Sequence, residues 1–287
     1  MAKTLDQIVG DLNRIPALPQ IVVQLLNMLD DPDADISDIA KIMSKDPGLG
    51  AQILRTVNSA FYSLNNRIGD INRAITILGF REVKNVILAN SVSKSFKNFK
   101  GIADIKIDDF WKHSLVNGCV MRCMARKTHC SGGGDAFSIG LIHDIGKLIM
   151  ISAAPEETKE VLRQARENGT SFYEAEQQVM ETDHSELGAW VCRKWRLPDN
   201  FSRIIAGHHS RESYECDELT ACCYFGNFVA ALKHVGGSGN FEQMRLSGKA
   251  WSMLGMKRDD LKAMIALANK EISKAEVLLE NILQNTK

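Results

Sequence analysis

The chain has 287 residues, 45% of them hydrophobic and 24% charged, and its 35 Lys plus Arg balance 35 Asp plus Glu. A formal charge of zero excludes bulk electrostatic gripping of nucleic acid or an anionic membrane as its main task. The length gives room for one large or two modest domains, with enough core to fold without disulfides or a structural metal.

Helical periodicity recurs along the chain and alternating strand patterns are scarce, which predicts an all-α fold. After a short first helix, Pro16 and Pro19 mark a turn. The next helix carries Ile21, Val22, Leu25, Leu26 and Leu29 and stops at Asp31-Pro32. Ser37 is expected to cap a third, which runs through Ile39 and Ile42 to Asp46-Pro47; a fourth carries Leu49, Ile53, Leu54, Val57 and Ala60. Helices over about 70–78 and 81–96 follow, with Gly79 as the break. From Ser95 to Asp104 the apolar period is lost while Lys94, Lys97 and Lys100 gather, which reads as a solvated linker rather than a basic patch. Residues 1–104 are therefore expected to form an N-terminal helical lobe and 105–287 a second helical lobe.

The second lobe is expected to open with a helix from about Ile107 to Thr128. The loop Ser131-Gly132-Gly133-Gly134 is a flexible turn and no phosphate cradle, which would need separated glycines followed by Gly-Lys-Ser/Thr. Further helices begin near Asp135, at Pro155 with Gly169 as the stop, and at Ser171 with Glu174 in a capping box. Others begin near Asp183, Pro198 and Asp217, a loop is expected over Val235–Asn240, and one or two helices follow Asp259. The closing helix, with Leu261, Met264, Ile265, Leu267, Ala268 and Ile272, suits docking on its own core, with a homodimer as the other use. Seven unpaired-looking cysteines, at 119, 123, 130, 192, 216, 222 and 223, fit a reducing, cytoplasmic setting. The first residues lack a basic-then-apolar signal pattern, and charge interrupts the apolar runs, so no membrane role is expected.

Metal-type ligands recur on faces that otherwise look buried. His113 lies on a stripe with Phe110, Asn117, Val120, Met121 and Met124, and Asp109 precedes it by one helical turn. His143-Asp144 sits in an apolar helix beside Lys147. His184 heads a face that continues to Val191 and Trp195, and His208-His209 ends a face marked by Phe201, Ile204 and Ile205. Asn227 is a polar residue on the face of Leu219, Cys223 and Ala230. Unpaired polar groups in a core cost roughly 1–3 kcal/mol each, so this many inward histidines must converge on something. A shared ion satisfies them together; imidazole with carboxylate suits Fe, Mn, Zn, Ni or Co, as one or two ions. His129 and His234 lie beside loops and are expected at the surface.

The order His113, His143-Asp144, His184 and His208-His209 resembles the HD superfamily of metal-dependent phosphohydrolases, most specifically through Ile142-His143-Asp144-Ile145-Gly146-Lys147. Four earlier motifs narrow the resemblance to the HDOD domain, the HD-related output domain of bacterial signalling proteins. They are Ile15-Pro16-Ala17-Leu18-Pro19, Asp46-Pro47-Gly48-Leu49, Val57-Asn58-Ser59-Ala60-Phe61-Tyr62, and the run from Ala74 to Val83. Phe110-Trp111-Lys112-His113-Ser114 and Asp183-His184-Ser185-Glu186-Leu187-Gly188 extend the likeness, which covers about residues 10–235.

The resemblance implies a bacterial regulatory protein that takes its input from a signalling protein or a small phosphorylated ligand, since no receiver-like strand-helix alternation is present. Active HD enzymes complete their first metal site with an aspartate, and the position that matches best here is Asn227, a neutral and weaker ligand. The residues after His208-His209 lack the Gly-Tyr-Pro motif of the HD-GYP class, which makes cyclic dinucleotide cleavage an unfavoured activity. The alternative to a regulatory module is a working phosphohydrolase. There His113, His143, Asp144, His184, His208 and His209 would hold metal, Asp109 would add a ligand, and Lys147 and Asp144 would serve catalysis.

Overall fold

The computed structural model describes residues 4–10, 17–59, 62, 64–96, 99, 101–102, 105–233, 246–257 and 259–284. Among them the regular structure is helical: no strand occurs, and one backbone bridge joins Ile102 to Ile105. The chain divides into two compact units. One comprises Pro16–Asn98 with Lys270–Lys287, and the other Met1–Ile15 with Phe99–Asn269. The break at 98/99 lies inside the stretch that loses its apolar period, but a single cut at 104 does not account for either chain end. The expectations for Ala60, Lys97, Lys100, His234 and the 235–240 loop lie outside the described residues.

After α1 (Leu5–Gly10), the Pro16–Asn98 unit contains α2 (Gln20–Asp30), α3 (Ile36–Met43), α4 (Pro47–Val57) and α5 (Ile71–Ser95). Carboxylates fix three of the starts: Asp35 accepts from the Ser37 amide at 2.6 Å, Asp46 from Leu49 at 3.0 Å and Asp70 from Arg73 at 2.8 Å. Asp35, not Ser37, is thus the cap of α3, because the helix begins at Ile36. Gly79, at φ 77° and ψ 163°, leaves helical geometry inside α5, so the two expected helices form one kinked element. Val22, Leu25, Ile39, Met43, Ile53, Val57, Ile75 and Ile87 fill this unit's core.

The other unit runs from α6 (Ile107–Thr128) through a 3-10 turn at Gly133–Asp135 into α7 (Ala136–Ile142) and α8 (Ile145–Ala153). Then come α9 (Pro155–Asn168), α10 (Phe172–Val179), α11 (His184–Lys194), α12 (Asp199–Gly207), the short α13 (Arg211–Tyr214) and α14 (Glu218–Leu232). Helices α15 (Gly248–Met253) and α16 (Asp260–Gln284) close the chain. Met264 and Ala268 of α16 are buried, and Leu267 is exposed. His129 is exposed and closes α6 in the left-handed region. Gly169 does the same for α9, and Ser171 and Glu174 make the capping box of α10.

Helix α6 packs against α7 and α14, α8 against α11, and α11 against α12. Two of these contacts bring backbones together. A Cβ on Gly140 would lie 2.6 Å from the Gly118 Cα, joining α7 to α6, and one on Gly146 would overlap the His184 carbonyl, joining α8 to α11. The apolar run from Gly133 to Ala153 is long and apolar enough to cross a membrane, but it is almost entirely buried in the protein. Nor is it one continuous helix: Asp144, at φ −95° and ψ 10°, interrupts it. Adjacent residues on a regular helix point about 100° apart, so this interruption lets His143 and Asp144 face a common centre.

Candidate metal centre

Five elements deliver the expected ligands. His113 comes from α6, His143 and Asp144 from the turn between α7 and α8, and His184 from the first position of α11. His208 and His209 follow the end of α12, and Asn227 lies on α14. Asp183 holds the start of α11 by accepting from the Ser185 amide at 2.8 Å and the Glu186 amide at 3.0 Å, which aims His184 inward. His143, His184 and His208 are fully buried, Asp144 and Lys147 are 1% exposed, and His113 and Asn227 are 3% exposed.

Hydrogen bonds on the far side of each ring decide what faces the centre. His143 donates from Nδ1 to the Gly140 carbonyl at 2.8 Å, and His208 donates from Nδ1 to the Ile205 carbonyl at 2.6 Å. His184 Nδ1 meets the Glu176 carboxylate at 2.7 Å. In a neutral ring each Nε2 is then a lone pair. His143 Nε2 lies 2.9 Å from Asn227 Oδ1 and 3.3 Å from the Asn117 amide nitrogen, His208 Nε2 is 3.6 Å from Asp144 Oδ1, and His184 Nε2, 3.2 Å from the same oxygen, has a proton to donate only while its ring is charged. His113 Nε2 is 3.0 Å from Asn227 Oδ1 and 3.6 Å from Asp144 Oδ2. His209 Nε2 is buried with no hydrogen-bond partner, and the buried Asp144 Oδ1 has one only while His184 is charged. Acceptors crowded on acceptors are unfavourable unless a cation lies among them, and either the charged His184 ring or a metal ion that displaces its proton can serve.

Two overlapping groups could hold such a cation, His113, His143 and Asp144, and Asp144 with His184, His208 and His209. Asp144 belongs to both, which suits one ion or a carboxylate bridging two. The donor set fits a divalent metal, and the outer bonds to Gly140, Ile205 and Glu176 orient the rings as metal sites require.

The model of the HDOD domain matches residues 15–211. The chain belongs to the HDOD family. An uncharacterised protein of Treponema pallidum is 24% identical over 245 residues, covering 84% of this chain and 47% of that one, so the chain spans about half the length of this relative. A candidate phosphohydrolase from Shewanella amazonensis is similar in structure, with TM-score 0.73, 19% identity and 98% of each chain covered. So is a candidate signal transduction protein from Marinobacter aquaeolei, with TM-score 0.78, 17% identity, and 96% of this chain and 65% of that one covered. At these identities the structural likenesses are likenesses of fold.

Electrostatics in this HDOD domain follow from burial. Burial holds the His113, His143, His208 and His209 imidazoles below their ordinary value, so they are neutral and able to ligate. Burial opposes charge on His184 too, but the neighbouring Glu176 carboxylate and a hydrogen bond to Asp144 together outweigh it and lift His184 to about 9. Burial would also raise Asp144, yet the Lys147 ammonium, 2.8 Å from Oδ2, and the hydrogen bond from the charged His184 ring keep it ionised well below the ordinary carboxylate value. Lys147 lies over the Phe172 ring as well, 5.3 Å from its centroid.

Asp109 does not join the centre. It is part-exposed and lies 3.7 Å from Lys112 on the same helix, because one turn before His113 the helix has reached the surface. Three participants come from outside the expected ligand set. Asn117 donates to Asn227 Oδ1 at 3.0 Å and to the Cys223 carbonyl at 3.2 Å, fixing the Asn227 amide so that its oxygen faces the histidines. Tyr173 stacks on His209 with ring centroids 4.9 Å apart. Glu176 is fully buried, a carboxylate on the apolar stripe with Phe172 and Ala175, and that was its readable signal.

Proposed function

We propose that this HDOD protein is a regulatory module of bacterial signal transduction, acting in the cytoplasm through a partner protein or a ligand. Its histidine centre holds a divalent transition metal, as one or two ions, for structure or sensing. The observation that carries this reading is burial: every inner ligand except His209 is at most 3% exposed. Structural metal sites are closed, whereas catalytic ones keep a position open to substrate. Asn227 supports it further, because a neutral amide occupies the place where His113 and His143 converge. Seven free thiols support the cytoplasmic setting. The N-terminal lobe expected over residues 1–104, of which Pro16–Asn98 forms a compact unit, is the favoured partner-binding part.

Hydrolysis of a phosphate ester is the second reading, supported by the number of ligands retained and by the fold shared with a candidate phosphohydrolase. A bound metal would supply Lewis acidity and an activated water. The protein's own contribution would be Lys147, whose ammonium would neutralise phosphate charge, and Asp144, which would anchor the cation.

The test has two arms. Metal analysis of chelator-free protein is expected to find bound transition metal, and its absence, with no rise in melting temperature on adding metal, would sink both readings. A hydrolysis screen with phosphomonoesters, nucleotides and cyclic dinucleotides is expected to be blank for the native chain, and Asn227→Asp is expected to tighten metal binding. Native activity abolished by His143→Ala and Asp144→Ala would overturn the regulatory reading.

A further inference from the structure

The Pro16–Asn98 unit contains a cavity of about 900 Å³ that plays no part in the histidine centre. Arg55 and Asn58 line it from the end of α4, Asn66 and Arg67 line it from the segment before α5, and Leu54 and Leu64 give it apolar surface. None of the described residues that line it is acidic. Arg55 and Arg67 are exposed and have no hydrogen-bond or ion-pair partner among the described residues.

Asn58 makes this arrangement a fixed one. Its amide nitrogen donates to the Leu54 carbonyl at 2.7 Å and the Ile68 carbonyl at 2.9 Å, and its oxygen accepts from the Ile68 amide at 2.7 Å. The backbone next to Arg67 is thereby tied to the helix end that carries Arg55. The two guanidinium groups border the same cavity from a shared frame, without a counter-charge.

Sites for small molecules occupy roughly 300–1,000 Å³ and combine apolar walls with a few convergent polar groups. Guanidinium forks match phosphate oxygens, and two of them match a dianion. The cavity is far larger than an inorganic phosphate, and its leucines have no role toward one. We propose that it binds a nucleotide-sized organic phosphate, with Arg55 and Arg67 on the phosphate and Leu54 and Leu64 against the ring or apolar portion. This site is independent of the metal centre and of whether the protein hydrolyses anything.

Calorimetric titration of the full chain with AMP, ATP and glucose 6-phosphate tests it, with adenosine and inorganic phosphate as reference probes. At least one organic phosphate is expected to bind, at least about tenfold more tightly than either reference. Arg55→Ala and Arg67→Ala are each expected to weaken it about tenfold or more, with melting temperature unchanged because both side chains are exposed. Three results would overturn the proposal: no binding of any of the three organic phosphates, native affinity in the double variant, or adenosine binding as tightly as AMP. Binding that survives the double variant but is lost in Asp144→Ala would place the ligand at the histidine centre, and would overturn it too.

Discussion

Lys84 and Asp144 are both charged groups drawn into helical packing, yet their surroundings differ in kind. Lys84, in the Pro16–Asn98 unit, is 3% exposed and reaches Asp30 at 2.5 Å, a carboxylate still 45% exposed to water. Asp144, in the Phe99–Asn269 unit, is 1% exposed, and Lys147 meets one of its oxygens at 2.8 Å. The other oxygen faces His208, whose proton is committed to the Ile205 carbonyl, and His184, which donates to it only while its ring is charged. One unit thus answers its buried charge with a single water-exposed carboxylate, whereas the other surrounds its buried charge with imidazoles that serve as donors or as metal ligands according to their protonation.

The sharpest way to break this contrast is Asp144→Ala. It strips Lys147 of its buried partner and removes the ligand common to both groups, so a loss of about 3–5 kcal/mol in urea unfolding is expected. Metal content should fall with it. An unchanged stability would mean that the centre contributes nothing to folding.

Glu176→Gln probes the same centre more gently. It keeps the shape but weakens the acceptor that orients His184, so metal affinity should drop about 10–100-fold in a chelator competition while the helical signal is retained. In the other unit, Asn58→Ala removes the bonds that tie Ile68 to α4. A cost of about 1–2 kcal/mol is expected there, at the low end for lost hydrogen bonds because the site is part-buried. That cost should be the same with and without metal. A metal-dependent cost would show that the contrast between the units is misplaced.

Much of the centre is legible in the spacing of its residues. His113, His143, His184 and His208 all fall on apolar stripes, and a stripe on a helix reports direction faithfully. It does not report depth, and this is why Asp109, one turn from His113 on the same face, lies at the part-exposed start of α6 instead. The break at His143-Asp144 is invisible for a different reason. No glycine or proline marks the turn, and the chain leaves the helix where α8 closes onto α11 through Gly146. Asp35 and Ser37 are both good caps two residues apart, and only the register of α3 separates them. Glu176 was readable as a carboxylate on a buried face, but its partner lies eight residues ahead on another helix, beyond what periodicity within one helix can connect.

The glycine contacts bear on how fast an ion could come and go. Gly118 against Gly140, and Gly146 against the His184 carbonyl, tie backbone to backbone along the same helices that carry His113, His143, Asp144 and His184. Side chains at a surface swing aside in picoseconds to nanoseconds, but helices in backbone contact part only in slower collective motions of microseconds or longer. An ion seated among these ligands would therefore be a long-term resident, loaded as the lobe folds and exchanged at the pace of helix separation.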